Sequence, residues 1–469
     1  MRFNQIYVPQ TGTVNLAGGE AFAQSPELEL TSLVLTSFLN DKYYESGSDQ
    51  LDRLVHLVSV LDPIFSAKAA LLARRRFGMR SVSHVIAAEL AYRAKGQTWT
   101  KRFFDQIVYR PDDMMEILAY YLAKYGKPVP NAMKKGFAQA LTRFDAYQLA
   151  KYRGEGKAIA LVDVVNLVHP RHTDPIGDLV NGTLTAPDTW EVWLTKAGQE
   201  GRTDEEKATF KANAWKYLLE NRKLGYFALL RNLRNIAQQA PGSLTLALEQ
   251  LTDPKAIAKS LVLPFRYSTA IREIQSDRDL SAYAPQITSA LVDAMEISLT
   301  NVPELPGTSL VALDVSASMR GQPIQIGSLF AAALAKTNDI DLVLFDGRAR
   351  GTRIEKNFPV WTIARELERQ ATYGMTDFRP IFTTATKAYD RIIILSDMQA
   401  WVGWNHPGQA FRDYKLRTGA DPKVYSFDLA GYGTLQFPEA NVYTLAGWSE
   451  KVFELIPLLE QDRSSLVEA

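Results

Sequence analysis

The feature that most constrains the fold is a change of pattern near residue 300. From about 27 to 300 the chain reads as helix almost throughout. LTSLVLTSFL (30–39), LDRLVHLVSVL (51–61), AKAALLARRRF (67–77), DDMMEILAYYLAKY (112–125) and MKKGFAQALTRF (133–144) show the apolar recurrence of one helix face. Short breaks such as YGKPVPN (125–131) and APGS (240–243) separate such segments. Many helix pairs in series without a strict repeat period predict an α-solenoid of diverged HEAT-like repeats. Past LTNVPELPGTS (299–309) strands alternate with helices: SLVALDV (309–315), GSLFAAALAKT (327–337), DIDLVLFD (339–346), TIARELERQA (362–371), a helix over 380–388, RIIILSD (391–397), VYSFDLA (424–430), NVYTL (441–445) and SEKVFELIPLL (449–459). That alternation predicts a doubly wound α/β domain on a parallel sheet. The chain thus divides into a helical domain, 1–300, and an α/β domain, 301–469.

Composition narrows the function classes. A chain of 469 residues can bury a large core without covalent staples. It contains no cysteine, which excludes disulfides, thiol catalysis and cysteine-ligated metal sites. Net charge is +1, so any nucleic-acid binding must come from local clusters. The opening MRFNQIYVPQTGTVNLAGG lacks the apolar segment of a signal peptide, and nothing approaches 18 consecutive apolar residues. The expectation is a soluble cytoplasmic protein without a membrane partner.

In open α/β sheets ligands sit beyond the C-terminal ends of strands. LVALDV ends at Asp314 and IIILSD at Asp397, so both carboxylates belong to that edge. Asp314, Ser316 and Ser318 stand at alternate positions, which face one way where the chain is extended. Hard divalent cations, magnesium above all, take such oxygen ligands. Asp397, and Thr376 in the loop YGMTDF (373–378), are placed to complete the shell. The plain alternative is that Asp314 caps a loop and the serines cap the next helix. Phosphoryl chemistry of the haloacid-dehalogenase kind wants a second aspartate where Ser316 stands. RGEGKAI (153–159) lacks the spacing and hydroxyl of a phosphate-binding loop, and histidines 56, 84, 169, 172 and 406 form no H-E-x-x-H. No catalytic constellation is assembled, so a non-enzyme is expected.

Residues 124–157 hold Lys124, Lys127, Lys134, Lys135, Arg143, Lys151, Arg153 and Lys157 against only Asp145 and Glu155. Tyr125, Phe137, Phe144, Tyr147 and Tyr152 lie among them. Cations supply sequence-independent affinity for phosphates, and aromatic faces stack unpaired bases. The competing reading is a solvated helix whose Phe137, Leu141 and Phe144 are core. VNLVHPRH (165–172) adds a polar loop with His169, Arg171 and His172. In YFALLRNLRNI (226–236), Arg231, Asn232 and Arg234 read as a polar stripe beside Phe227, Leu230 and Leu233, or as arginines that merely snorkel.

The order D-x-S-x-S, then Thr376, then Asp397 looks like the metal-ion-dependent adhesion site of von Willebrand A domains. With FALLRNLRNI (227–236), AKYRGEGKAIALVDVVNLVHPRH (150–172) and LPFRYSTA (263–270) ahead of it, the chain resembles the Ro ribonucleoprotein (TROVE-domain) family over roughly 110–460. The resemblance implies a monomeric ring of helical repeats joined end to end through the von Willebrand A domain. It implies a small structured Y-type RNA on a basic outer surface, and a hole admitting single-stranded 3′ ends of misfolded RNAs. It also implies an RNA-tethered 3′-to-5′ exoribonuclease as a partner. Lys151, Arg153 and His169 match family positions linked to RNA binding, and Arg231 and Arg234 lie in a matching motif. Asp314, Ser316, Ser318, Thr376 and Asp397 match the metal site, with a divalent cation, magnesium first, as cofactor. A protein-interaction scaffold, with RNA incidental, is the alternative function.

Overall fold

The computed structural model describes residues 12–16, 18–23, 25–37, 39, 45–185, 188–400, 407–432, 434–436, 442–446 and 456. Helices dominate from Pro26 to Ser298. Their starts follow local chemistry. Ser46 and Asp49 form a reciprocal capping box on Gly47–Val60, and Asp62 caps Pro63–Arg75, whose first residue is a proline that has no amide to satisfy. Close crossings follow small residues. A Cβ on Gly136 would meet Phe104 Cβ at 2.5 Å, so glycine lets Asn131–Leu141 lie directly on Thr100–Ile107.

After Asn301 the chain enters the α/β region. With a hairpin of β1 (Gly12–Val14) and β2 (Glu20–Ala23) at the start of the described chain, the later strands are β3 (Ser309–Asp314), β4 (Ile340–Phe345), β5 (Ala349–Thr352), β6 (Arg391–Ser396), β7 (Lys423–Asp428), β8 (Thr434–Leu435) and β9 (Val442–Ala446). The main sheet has the order β5-β4-β3-β6-β7-β9. All its pairings are parallel except β4–β5. β3 and β6 are buried at every position because helices cover both faces, which is why they read as unbroken apolar runs.

The expected sheet is therefore mixed rather than wholly parallel. Its antiparallel edge, ARGT at 349–352, is too short and too polar to announce itself. The helix expected over 380–388 ends at Thr384. Pro407–Thr418 forms a helix that the periodicity did not single out. The helix expected over 449–459 lies outside the described residues apart from Ile456.

Three apolar clusters organise the packing among the described residues. One, with Leu33, Phe104, Met114, Phe137 and Leu161, serves the first helices. A second runs from Trp215, Leu233, Ile271 and Leu291 into Val311, Phe330, Leu395 and Phe427, so the later helices and one face of the sheet share a core. The third, with Phe345, Phe378, Ile394 and Tyr414, covers the opposite face.

The helical array is bound to the α/β region at both ends. At its C-terminal end Glu296 accepts from the Val360 amide at 2.8 Å and pairs with Lys336, while Arg272 pairs with Glu368 and lies 5.0 Å from the Trp361 ring centroid. At its N-terminal end β2 pairs antiparallel with β8, and the Arg53 guanidinium donates to the Gly431 carbonyl at 2.8 Å. The chain thereby forms a closed circuit.

Candidate metal centre and nucleic-acid interface

Asp314 ends β3 and Asp397 follows β6, its direct neighbour, so both carboxylates reach the C-terminal edge of the sheet. Both are fully buried, as are Ser316 and, nearly so, Ser318 and Thr376. The amide of Ser316 donates to Asp314 Oδ1 at 2.9 Å, and the Ser316 and Ser318 hydroxyls lie 3.5 Å apart. The loop with Thr376 is tied to this turn by two backbone bonds: Ala317 donates to the Gly374 carbonyl at 3.0 Å, and Tyr373 to the Val315 carbonyl at 2.8 Å. The five residues are thus gathered at one edge.

Burial pushes the Asp314 carboxyl up, opposed by hydrogen bonds from Ser316 and Ser396 and reinforced by the charge of Asp346. Burial also pushes Asp397 up, and the neighbouring charges of Asp314 and Asp428 add to it. Among the described residues, Asp397 Oδ2 is a buried acceptor with no hydrogen-bond partner. Two buried carboxylates, one with an unmatched oxygen, beside three hydroxyls form a donor set that suits a hard cation. Among the described residues no three His, Cys, Asp or Glu side chains gather as a metal cluster; this set is two carboxylates and three hydroxyls.

Three contributors escaped the sequence reading. Ser396 donates to Asp314 Oδ2 at 2.6 Å and receives the Met398 amide at 3.0 Å. Asp346 follows β4 and Asp428 ends β7. The rule that selected Asp314 and Asp397, a carboxylate at the end of an apolar strand, selects these two as well.

The basic candidates fare differently. Lys151 ends the helix Ala146–Lys151, exposed, with Nζ 5.8 Å from the Tyr147 ring centroid and 5.9 Å from that of Tyr152. The Arg110 guanidinium lies 4.6 Å from the Tyr152 ring centroid and pairs with Asp112. Arg153 donates to the Leu184 carbonyl and pairs with Glu155, and Lys157 pairs with Glu116 at 2.8 Å. Arg143 pairs with Asp105 and donates to the Val108 carbonyl at 3.0 Å, which fastens a helix end. Lys134 is half-buried, and Lys135 lines a groove with Lys101, Phe104 and Pro130. His169 caps Leu161–Val168 in the left-handed conformation, φ 49°, and is exposed, as is Arg171.

Of the five aromatics expected among these cations, Phe137 and Phe144 are core. Tyr125 stacks on Tyr92 at 4.3 Å and donates to Glu89 at 2.7 Å. Tyr147 remains exposed, and Tyr109, which the sequence reading passed over, is 58% exposed. Asp113 explains its placement. This buried carboxylate accepts the amides of Tyr109 at 2.9 Å and Arg110 at 2.8 Å, and Arg74 at 2.8 Å, with His84 Nε2 at 2.9 Å. Burial alone would raise its pKa, but His84 and Arg74 outweigh burial and hold it well below the usual carboxylate range. The polar stripe expected on Tyr226–Gln239 is split: Arg231 and Arg234 are exposed, Arg234 pairs with Asp277 at 2.7 Å, and Asn232 is buried and bonded to the Ala228 carbonyl.

The comparisons with known proteins follow these elements. The TROVE domain matches residues 31–180 and 181–281, and the Ro60 vWA domain matches 308–457. Over 330 residues the chain is 22% identical to telomerase protein component 1 of Rattus norvegicus, a match covering 53% of this chain but only 13% of that much longer relative. Over 487 residues it is 23% identical to the RNA-binding protein RO60 of Deinococcus radiodurans, covering 90% of this chain and 91% of the relative. The crystal structure of the Deinococcus radiodurans RO (RSR) protein superposes with a TM-score of 0.64 at 18% identity, covering 92% of this chain and 98% of the other. The chain belongs to the TROVE-domain family, with a vWA domain of the Ro60 type behind its helices.

Proposed function

We propose that this chain is a non-catalytic RNA-binding protein of the cytoplasm. It holds a small structured, Y-type noncoding RNA and accepts single-stranded 3′ ends of misfolded RNAs. It acts in RNA quality control, or as an RNA-tethered adaptor to a 3′-to-5′ exoribonuclease. The carrying observation is the aromatic and cationic surface around Tyr109, Arg110, Lys151, Tyr147 and Tyr152. Lys151 there meets phosphates, and exposed tyrosine faces stack unpaired bases. The Deinococcus relative named as an RNA-binding protein matches this chain nearly end to end, which supports the same reading. The test is binding to a structured RNA with a single-stranded 3′ tail at two salt concentrations. Affinity that falls as salt rises is expected, and absence of binding or of a salt slope refutes the proposal.

At the sheet edge, Asp314, Asp397 and the Ser316, Ser318 and Thr376 hydroxyls would hold a divalent cation, magnesium first. Such a cation supplies a coordination position for a carboxylate from outside. The unmatched oxygen of Asp397 favours a second reading, a protein-interaction scaffold built on this centre. Asp314→Ala then abolishes capture of the protein partner and leaves RNA affinity unchanged; capture that survives the substitution rules the scaffold out.

A further inference from the structure

The loop that carries Asp397, one of the candidate cation ligands, is also a loop on which the N-terminal hairpin docks. Residues 397–400 are the centre of this overlap. The Gln399 amide donates to Asp397 Oδ1 at 3.3 Å, while Gln399 Oε1 accepts the Leu16 amide at 2.8 Å. The Asn15 side chain donates to the Ala400 carbonyl, and its own Oδ1 accepts the Gly19 amide at 3.0 Å within the hairpin turn. Between Asp397 and Gln399, Met398 adopts a left-handed conformation, φ 59°, unusual for a side chain of that size. Its amide donates to Ser396 Oγ at 3.0 Å, and its carbonyl accepts Gln436 Nε2 at 2.7 Å, beside the strand that pairs with the hairpin.

The neighbouring strand end repeats the arrangement. Asp428 Oδ1 accepts the amides of Ala430 at 3.0 Å and Gly431 at 2.6 Å, and Gly431 lies against Thr36 of the first helix. The charge of Asp428 bears on Asp397. Both turns therefore have one side toward the buried carboxylates and the other toward residues 15–53. The C-terminal contact of the helical array, through Arg272 and Glu296, uses Trp361, Val360 and Glu368 instead.

We propose that the N-terminal hairpin is a positioning part of the cation centre, so that cation binding and closure of the chain's circuit reinforce one another. The inference rests on the reading of the sheet edge as a cation site. A ligand that binds the ordered arrangement of 397–400 better than the disordered one must favour whatever else orders it, and the dependence is reciprocal. Asn15 and Gln399 are the positioning residues: they are not among the proposed ligands but set the backbone that aims Asp397.

Two measurements on the full chain test this. Magnesium binding is followed by calorimetry, and amide hydrogen exchange is compared with magnesium and with chelator. Magnesium is expected to slow exchange in 12–23 and 397–400 several-fold, leaving 264–298 unchanged. Asn15→Ala is expected to weaken magnesium binding roughly tenfold, in the range seen when residues behind metal ligands are altered. Magnesium binding without slowed exchange in 12–23, or with Asn15→Ala affinity equal to wild type, overturns the coupling while leaving the cation site intact. Absence of magnesium binding to the wild-type chain overturns the cation site itself, and the coupling with it.

Discussion

Thr36 lies directly against Gly431: a Cβ built on Gly431 would meet Thr36 Oγ1 at 2.0 Å, and Gly431 holds a φ of +71°. One residue comes from the first helix and the other from the turn after β7, so this contact joins opposite ends of the chain. Gly431→Ala is expected to combine left-handed strain of roughly 1–2 kcal/mol with overpacking of about 1–3 kcal/mol. The outcome should be a lower first thermal transition and faster proteolysis of residues 12–53, with the helices 264–298 unaffected. A variant whose melting and proteolysis match wild type would show that the N-terminal contact does not depend on this close approach.

Asp113 carries a prediction about pH. Its carboxyl is held below its ordinary value in the folded chain, so folding is favoured by its ionised form. That contribution is complete above the unfolded carboxylate pKa and is lost as pH falls toward the depressed folded value. Asp113→Asn leaves Arg74 buried without its counter-charge and should cost about 3–5 kcal/mol. Denaturant melts at pH 7 and near pH 3 should therefore differ less in the variant than in wild type. Equal pH sensitivity would assign the acid lability to other groups.

Lys151 and Tyr109 separate phosphate contact from stacking. Lys151→Ala should weaken RNA binding at low salt and reduce the slope of log affinity against log salt by about 0.7, the value for one phosphate contact on a single strand. Tyr109→Ala should weaken binding to single-stranded tails by about 1–3 kcal/mol and leave that slope unchanged. Filter binding across a salt series reads both. A change of slope for Tyr109→Ala would move its role from stacking to placement of Arg110.

Ser396 offers a check on the cation centre that leaves every proposed ligand in place. Its hydroxyl donates to Asp314 Oδ2 and accepts from Met398. Ser396→Ala should weaken magnesium binding about 10–100-fold with little change in the sheet, because it removes the partner that orients a ligand. Calorimetry with circular dichroism as the fold control decides it. Unchanged affinity would mean that Asp314 is positioned by the Ser316 amide alone.

Much of this protein is decided locally. Helical periodicity before residue 300, alternation after it, and carboxylates closing the apolar runs at 309–314 and 391–396 follow from side-chain spacing, and the structure has the elements there. Periodicity also separates core from surface on a helix, and it correctly warned that Phe137 and Phe144 belong to the core.

What the tertiary structure decided are the relations between distant segments. Spacing offers no sign that Asp113 presents Tyr109 and Arg110, because the partners Arg74 and His84 come from other helices. It offers no sign that Arg143 and Arg234 are engaged by Asp105 and Asp277, since an ion pair depends on which helices meet. Nor does it show that GTV and EAFA at the start of the described chain form a hairpin on β8 beside Asp397. Strands this short have too little pattern to be read alone; they form because a distant edge supplies their hydrogen-bond partners.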